Sequence, residues 1–425
     1  MLAEVEQKII AESYSSDVPY DLLSTLCRRY GHRFAGSSQE KEAAKFLADK
    51  MKEYGLQNVD LKSFAYKGWR RGNSSLKLIN NNSKHEFECI GLPYSPGGDI
   101  EAHLVDVGDG TPSEFSELSS KISGNIVLVS ARKPIYARED MHRRDKYLRS
   151  VEAGALGFIW MREVGGHLAE TGGLPHDAPI PAVGVSYETG FKLKNMTKDN
   201  DFKVKLSTDN VFQETNSYNV LGSLAGNSAR DEEAGLIVGA HYDGHDIAEG
   251  ALDNGAGTVL VMEAARLLAR HADILGCPID FVLFGAEEVG LIGSKKFVQN
   301  QRENKNYKFM LNVDGAPGRP GSELGMALQG WSQLISVFKN IFSDMNRPDI
   351  EIGVSPGSHS DMYSFSEAGI PSGYFKDMKN VSTGRNWGHT RADTLDKIKP
   401  QKLREDALLL SRTLLHLSRV EKWPE

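Results

Sequence analysis

The second half of the chain alternates apolar, strand-like runs with helical segments, and this alternation constrains the fold more than any other feature. Strands are predicted over residues 218–224, 234–240, 279–285, 308–314 and 371–375. Helices are predicted over residues 255–271, 291–302, 329–344, 360–368 and 399–418. Alternation of this kind is typical of a mostly parallel sheet that helices cover on both faces. We therefore predict an α/β fold built on such a central sheet.

A loop rich in His and Asp lies between the second strand and the first helix of this region. It carries His241, Asp243, His245, Asp246 and Asp253. In open α/β sheets, the loops that leave the carboxyl ends of the strands build the active site. Imidazole and carboxylate groups are also common ligands of divalent transition metals. The loop is therefore a candidate metal site.

Acidic and His residues recur at three later strand ends or loops. Glu287 and Glu288 follow the strand at 279–285, Asp314 ends the next strand, and His389 lies on a loop before the final helix. Adjacent carboxylates repel each other unless cations or protons offset their charge. A donor set of carboxylates and imidazoles suits two zinc ions, with manganese or cobalt as alternatives. A hydrolase built on such a metal pair also needs a separate base.

The order and spacing of these residues resemble the co-catalytic zinc exopeptidases, which include bacterial aminopeptidases, carboxypeptidase Q and glutamate carboxypeptidase. The resemblance covers nearly the whole chain and implies two zinc ions per chain and a peptide substrate. It implies that one zinc ion is held by His241, Asp253 and Asp314. The other zinc ion would be held by Asp253, Glu288 and His389, so that Asp253 bridges the pair.

The resemblance also implies roles for residues beside the ligands. Glu287 corresponds to the general base, and Asp243 corresponds to the residue that orients the imidazole of His241. His245 and Asp246 are expected to support the loop rather than to bind metal. His32, in the segment Gly31–Gly36 that resembles the family's N-terminal part, is expected to pack within its loop.

One stretch departs from the family pattern. Residues 360–365 carry Met362 at a position where His is common in the family. A donor that stabilises the tetrahedral oxyanion must then come from elsewhere. His359 and Tyr363 are the two candidates, and the sequence leaves the choice between them open.

The region between the N-terminal and catalytic parts has a different texture, with short strand-like runs separated by Gly and Pro turns. It resembles the protease-associated domain that is often inserted into this family. We predict a peptidase domain formed by residues 1–94 and 206–425, with this smaller α/β domain inserted at residues 95–205. The position of the insert suggests a role in covering the substrate or in forming a homodimer.

Composition excludes several other classes of protein. The net charge of −7 and the spread of Lys and Arg argue against a nucleic-acid binder. No apolar run approaches the length of a membrane span. The three cysteines, at long spacings, do not form a disulfide framework or a zinc-thiolate motif. The charged N-terminal residues predict a cytoplasmic protein, with a mature secreted form as the alternative.

The sequence favours an aminopeptidase over a carboxypeptidase or a dipeptidase, and all three stay open. An aminopeptidase needs an acid for the substrate ammonium, whereas a carboxypeptidase needs Arg or Lys for the carboxylate. The acidic candidates are Glu249, Asp314 and Asp361, and the basic candidates are Lys376, Arg385 and Arg391. A glutaminyl cyclase-like transferase and a non-catalytic relative are more distant alternatives.

Overall fold

The computed structural model of the protein describes residues 2–80, 83–137, 141–199, 202–226, 234–301, 307–378 and 387–424. Its chain forms two compact units. The first contains residues 1–66, 216–388 and 393–425, and the second contains residues 67–215 and 389–392. The predicted limits of the insert, residues 95 and 205, lie within the range 67–215.

The strands build two eight-stranded sheets. In chain order they are β1 (Gln57–Arg70), β2 (Ser74–Asn80), β3 (Ser83–Phe87), β4 (Ile90–Gly91), β5 (Gly98–Asp106), β6 (Ile126–Ser130), β7 (Gly157–Met161), β8 (Ala182–Val185), β9 (Lys203–Thr208), β10 (Val211–Leu224), β11 (Gly235–His241), β12 (Ile279–Phe284), β13 (Tyr307–Val313), β14 (Leu324–Leu328), β15 (Ile352–Val354) and β16 (Ser372–Asp377).

Twelve α-helices accompany the strands in the described residues. They are α1 (Leu2–Tyr14), α2 (Val18–Thr25), α3 (Ser38–Glu53), α4 (Pro112–Glu117), α5 (Ser119–Ile122), α6 (Arg143–Glu152), α7 (Tyr187–Asp199), α8 (Ala256–Ala269), α9 (Ile292–Gln301), α10 (Ile335–Asp344), α11 (Met362–Glu367) and α12 (Pro400–Leu417). Within the same ranges, no helix is both long enough and apolar enough to cross a lipid bilayer.

The first sheet has the order β1-β10-β12-β11-β13-β16-β14-β15. Its central strands β12, β11, β13 and β16 are parallel neighbours, whereas β10 and β14 join this core in antiparallel pairs. Strands buried on both faces read as continuous apolar runs, as β11 and β13 do. The predicted mostly parallel central sheet is therefore confirmed.

Helices cover both faces of this sheet, as predicted. Alternate residues of a strand point to opposite faces. Leu236 and Val238 of β11 belong to one apolar cluster, which also contains side chains of α1, α3, α8, α10 and α12. Ile237 belongs to a second cluster, together with Phe297 of α9 and Phe365 of α11. The polar loops at the strand ends are thus carried by strands fixed on both sides.

The second sheet lies within residues 67–215 and has the order β3-β2-β9-β5-β6-β7-β8-β4. Strands β5, β6, β7 and β8 are parallel neighbours, and β9 and β2 add antiparallel strands. An apolar cluster that includes Leu128, Ile159 and Val183 forms a core for this unit. The smaller mixed α/β domain predicted from the Gly- and Pro-rich texture is confirmed.

Two predicted features differ in detail. The helix expected over 329–344 begins only at Ile335, because Gly330 has a φ of 81° and a short 3₁₀ turn spans Ser332–Leu334. Leu324–Leu328 also forms β14, which the sequence did not predict. A five-residue apolar run that contains Gly is too short to distinguish a strand from a buried helix by periodicity. For this reason the sequence did not predict β14.

The N-cap of α3 also differs from the capping box that Ser37 and Glu40 predict. Ser37 Oγ accepts the backbone N–H of Glu40 at 3.1 Å, as expected. The Glu40 carboxylate accepts the N–H of Gly36 instead of that of Ser37, and its other oxygen accepts the hydroxyl of Ser217. Burial raises the pKa of Glu40 to about 8. Glu40 therefore ties the start of α3 to β10 while it caps the helix.

Candidate active site

Two predicted ligands and the predicted base form a first group at the carboxyl ends of neighbouring parallel strands. His241 is the last residue of β11, Glu287 follows β12, and Asp314 comes directly after β13. Because these strands are adjacent and parallel, their carboxyl ends meet at one edge of the sheet. One ligand atom from each of the three residues lies within 4.8 Å of the others.

Asp253 joins this first group from the loop before α8. Its Oδ1 atom lies 3.4 Å from His241 Nε2, and Oδ1 of Asp314 lies 3.8 Å from the same nitrogen. Ligand atoms around a tetrahedral zinc ion are about 3.3 Å apart, given metal–ligand bonds of roughly 2.0–2.1 Å. The spacing and the chemistry of these three donors therefore fit one zinc ion.

A second group contains His245, Glu288 and His389, whose ligand atoms also lie within 4.8 Å of one another. His245 Nε2 and Glu288 Oε2 are 2.9 Å apart, and both side chains are buried. The sequence predicted Glu288 and His389 as ligands but assigned His245 to loop support. Asp253 is not among these three residues, so its role as the bridge stays a prediction.

Negative charge is concentrated around Glu287. Burial raises the pKa of Glu287 well above its ordinary value, and the neighbouring Glu288, Asp361 and Asp314 raise it further. His241 acts in the opposite direction. Burial likewise raises the pKa of Asp361 to about 7. The carboxyl groups at this edge cannot all ionise together without cations nearby, and bound metal ions would supply them.

The pKa of His241 reflects the same crowding. Burial alone would lower this pKa, because a charged imidazole loses its hydration. Glu287, Asp243, Asp253 and Asp314 outweigh burial and raise the pKa well above its ordinary value. The carboxylates therefore favour positive charge at this position. A metal ion held by His241 would supply that positive charge.

Asp243 makes hydrogen bonds beyond the contact with His241 that the sequence predicted. Nδ1 of His241 lies 3.2 Å from the backbone carbonyl oxygen of Asp243 and 3.6 Å from its Oδ1. The carboxylate accepts the backbone N–H groups of Glu287 at 3.1 Å and of Glu288 at 3.3 Å. Asp243 is completely buried. It therefore fixes the turn that carries the predicted base and the adjacent ligand.

Asp393 and Asn254 position the loop that carries Asp253, and the sequence did not identify either role. The Asp393 carboxylate accepts the N–H groups of Leu252 at 2.7 Å and of Asp253 at 3.1 Å. Nδ2 of Asn254 donates to the carbonyl oxygen of Val313 at 2.8 Å. Burial raises the pKa of Asp393 to about 7. The Asn254 bond connects the loop to the end of β13, directly before Asp314, and the Asp393 bonds connect it to the segment before α12.

Asp314 is itself held by a polar pair. The hydroxyl of Ser360 donates to Asp314 Oδ2 at 2.6 Å. Nδ2 of Asn312 donates in turn to the Ser360 hydroxyl oxygen, also at 2.6 Å. Such partners orient a carboxylate so that its other oxygen can face a metal ion.

Arg33 is the most important residue that the sequence did not single out. Its guanidinium is fully buried and donates to the carbonyl oxygens of Tyr242, Gly31 and Glu249 at 2.7 Å and of Gly250 at 2.8 Å. Three of these acceptors belong to the loop between His241 and Asp253. The signal in the sequence was an Arg within the family-like segment at 31–36, but no periodicity marked it as buried.

Replacement of Arg33 by Met is expected to lower the free energy of unfolding by about 3 kcal/mol or more, since several buried carbonyl groups lose their donor. Chemical denaturation of the metal-free protein measures this change. Arg347→Met is the matched control, because Arg347 is 45% exposed and pairs with Asp349 on the surface. The control should change stability by at most about 1 kcal/mol. Equal effects of the two substitutions would contradict this account of Arg33.

The two oxyanion candidates occupy different surroundings. His359 is exposed, and its Nε2 lies 3.3 Å from the hydroxyl oxygen of Ser358. Tyr363 is half-buried on α11, and its hydroxyl bonds to Glu367, which raises the pKa of Tyr363. Neither arrangement favours one of them as the oxyanion donor, so both remain predictions.

The candidates for holding a substrate terminus are mostly engaged in other contacts. Asp361 is fully buried, and Glu249 accepts the N–H of Leu395 at 2.7 Å. Arg391 forms a 2.7 Å ion pair with Glu88, and Lys376 Nζ lies 3.5 Å from Ser355 Oγ. Arg385 lies outside the described residues. Burial removes Asp361 from the surfaces that an ammonium group can reach.

The chain is similar to several known peptidases. Aminopeptidase YwaD of Bacillus subtilis is 27% identical over 416 residues, which cover 96% of this chain and 86% of that protein. Carboxypeptidase Q of Mus musculus is 22% identical, with 90% of this chain and 82% of that protein covered. The solved structure of a zinc aminopeptidase from Bacillus subtilis has a TM-score of 0.72 at 24% identity and covers 93% of each chain.

Two family models match separate parts of the chain. The description "Peptidase family M28" matches residues 219–413, which contain every predicted ligand and the predicted base. The description "PA domain" matches residues 99–193, within the smaller α/β unit. Residues 219–413 are therefore a domain of peptidase family M28, residues 99–193 are a PA domain, and the protein is a hydrolase.

Proposed function

We propose that this hydrolase is a di-zinc aminopeptidase that removes residues from the N-terminus of peptides. The proposal depends above all on one observation: two clusters of imidazole and carboxylate side chains lie at the carboxyl edge of the parallel sheet. The similarity to aminopeptidase YwaD, which extends over 96% of this chain, supports the choice of aminopeptidase.

The proposed ligands divide between the two metal ions as the family resemblance implies. His241, Asp253 and Asp314 would hold one zinc ion, and Glu288 and His389 would hold the other, with Asp253 shared. Zinc bound there would polarise the substrate carbonyl and lower the pKa of water from 15.7 to about 7. Manganese or cobalt could fill the same donor set.

Glu287 would act as the proton carrier of the reaction. Its carboxylate takes the proton from the attacking water and then gives it to the nitrogen of the leaving amine. The turn that carries Glu287 is held by the Asp243 carboxylate through the Glu287 N–H at 3.1 Å. Burial of Glu287 excludes bulk water, which would otherwise compete for that proton.

A carboxypeptidase or dipeptidase is the second candidate. The similarity to carboxypeptidase Q over 90% of this chain favours it. The complete burial of Asp361 also leaves fewer acids that can receive a substrate ammonium group. A cation for a substrate carboxylate would have to come from residues such as Lys376 or Arg391, which the structure places in other contacts.

A panel of free, N-blocked and C-blocked dipeptides tests the proposal. We expect hydrolysis of free and C-blocked substrates, loss of hydrolysis on N-blocking, and complete loss after zinc removal by a chelator. Zinc addition should restore the rate. Loss of activity on C-blocking alone would establish the carboxypeptidase instead. A cyclised product in place of free amino acids would indicate the cyclase-like transferase.

Association of the chain as a homodimer stays a proposal drawn from the position of the insert. The proposed reaction requires a peptide as its substrate. The mass of the purified protein in solution tests the homodimer directly, independently of the dipeptide panel.

A further inference from the structure

We propose that His245 is a direct ligand of the zinc ion that Glu288 holds. The family resemblance placed His245 outside the ligand set, so this residue would extend the site beyond the predicted ligands. The inference rests on the proposed function, because it assumes that a metal ion occupies the second group of residues. It concerns a side chain on the same loop as His241 and Asp253, four positions after His241.

The position of the imidazole is the first argument. Nε2 of His245 lies 2.9 Å from Oε2 of Glu288, and each side chain is only 4% exposed. Two donors on one tetrahedral zinc ion are about 3.3 Å apart. The observed separation therefore needs to open by only a few tenths of an ångström to accept a cation between the two atoms.

The surroundings of the ring are the second argument. The ring of Phe34 stacks against that of His245, with centroids 6.5 Å apart and an interplanar angle of 28°. Arg33, the residue before Phe34, donates hydrogen bonds to the carbonyl oxygens of Tyr242 and Glu249, which lie on either side of His245 in the chain. The imidazole is thus held by a fixed loop and an aromatic neighbour. Such support limits the rotamers that could carry Nε2 away from Glu288.

The donor set is the third argument. Two imidazoles and one carboxylate form a ligand set known in catalytic zinc sites. His245 would complete such a set with Glu288 and the predicted ligand His389. The second zinc ion would then have three protein ligands even before Asp253 is counted.

A hydrogen bond from His245 to Glu288 is the competing explanation. In that case His245 orients Glu288 without touching the metal. Loss of metal affinity cannot separate the two roles, since removal of a residue that only supports a ligand already costs roughly 10–100-fold in affinity. A direct spectroscopic sign of the bond between residue 245 and the metal is needed.

Cobalt-loaded His245→Cys protein provides that sign. A thiolate bound to cobalt(II) gives a charge-transfer band in the near ultraviolet, whereas a thiol that only approaches Glu288 gives none. We expect this band in H245C and its absence in wild-type protein, whose three cysteines lie outside the site residues.

His271→Cys is the matched control, because His271 lies at the far end of α8, whose 14 residues separate it from the site by about 20 Å. Cobalt-loaded H271C should show no new band.

If H245C holds two cobalt ions but shows no charge-transfer band, the inference is overturned. If H245C holds fewer ions, X-ray absorption of the wild-type zinc protein decides. This measurement gives the average number of imidazoles per zinc ion. Three imidazoles for two zinc ions support the inference, and two imidazoles for two zinc ions overturn it.

These outcomes are separate from failure of the proposed function. Wild-type protein that binds no zinc or cobalt would remove the proposed function and this inference together. Wild-type protein that binds both ions and hydrolyses peptides, but whose H245C variant lacks the band, would remove only the inference about His245.

Discussion

Replacement of Glu287 by Gln is expected to lower kcat by about 10²–10⁴-fold while both zinc ions stay bound. The amide has nearly the same shape as the carboxylate but cannot accept the proton of the attacking water. Glu287 is buried beside Glu288, Asp314 and Asp361, where a further negative charge is unfavourable unless cations offset it. Steady-state kinetics with a free dipeptide and zinc analysis of the same sample provide the measurement.

Glu288→Gln is the control that makes this test specific. The two residues are adjacent and their N–H groups bind the same carboxylate, so the local fold constrains them alike. Glu288 is predicted to be a ligand, and its substitution should therefore lower zinc content together with activity. If E287Q retained a rate near that of the wild type, or lost zinc as E288Q does, the assignment of Glu287 as the base would be wrong.

The second large effect is expected at Asp243, whose replacement by Asn should lower metal affinity or kcat/KM by about 10–100-fold. The Asp243 carboxylate accepts the N–H groups of both Glu287 and Glu288 with its two oxygens. An Asn side chain has one acceptor oxygen, so one N–H would face an amide donor in a fully buried position. A buried donor left without its acceptor costs about 1–3 kcal/mol.

Asp246→Asn separates this effect from a general loss of charge on the loop. Asp246 is three residues further along, half-buried, and predicted to support the loop without binding metal. Kinetics and zinc titration of D246N should remain close to those of the wild type. Comparable losses in the two variants would mean that the loop's charge, and not the two hydrogen bonds of Asp243, maintains the site.

The features that could be predicted from the sequence are those that depend on local periodicity and on residue type. Continuous apolar runs such as Ile237–Ala240 specify buried parallel strands, and acids directly after such strands must lie at one sheet edge. The gathering of His241 with Asp314 follows from that topology alone. The PA domain, by contrast, was identified by resemblance rather than by any rule of spacing.

The features that could not be predicted depend on contacts between distant parts of the chain. Arg33 binds carbonyl groups more than 200 residues away, and the backbone atoms that accept its hydrogen bonds have no signature in the sequence. Asp393 similarly accepts the N–H groups of Leu252 and Asp253 across about 140 residues. The position of His245 beside Glu288 is also set by such long-range packing, because periodicity does not describe a loop.

The zinc content of the wild-type protein, compared with that of Asp253→Asn, tests the central claim most directly. Wild-type protein saturated with zinc and freed of excess metal is expected to hold two zinc ions per chain. The D253N variant is expected to lose at least one of them, because Asp253 is proposed to serve both ions. A wild-type chain that holds one zinc ion or none, or a variant that holds two as firmly as the wild type, would contradict the account.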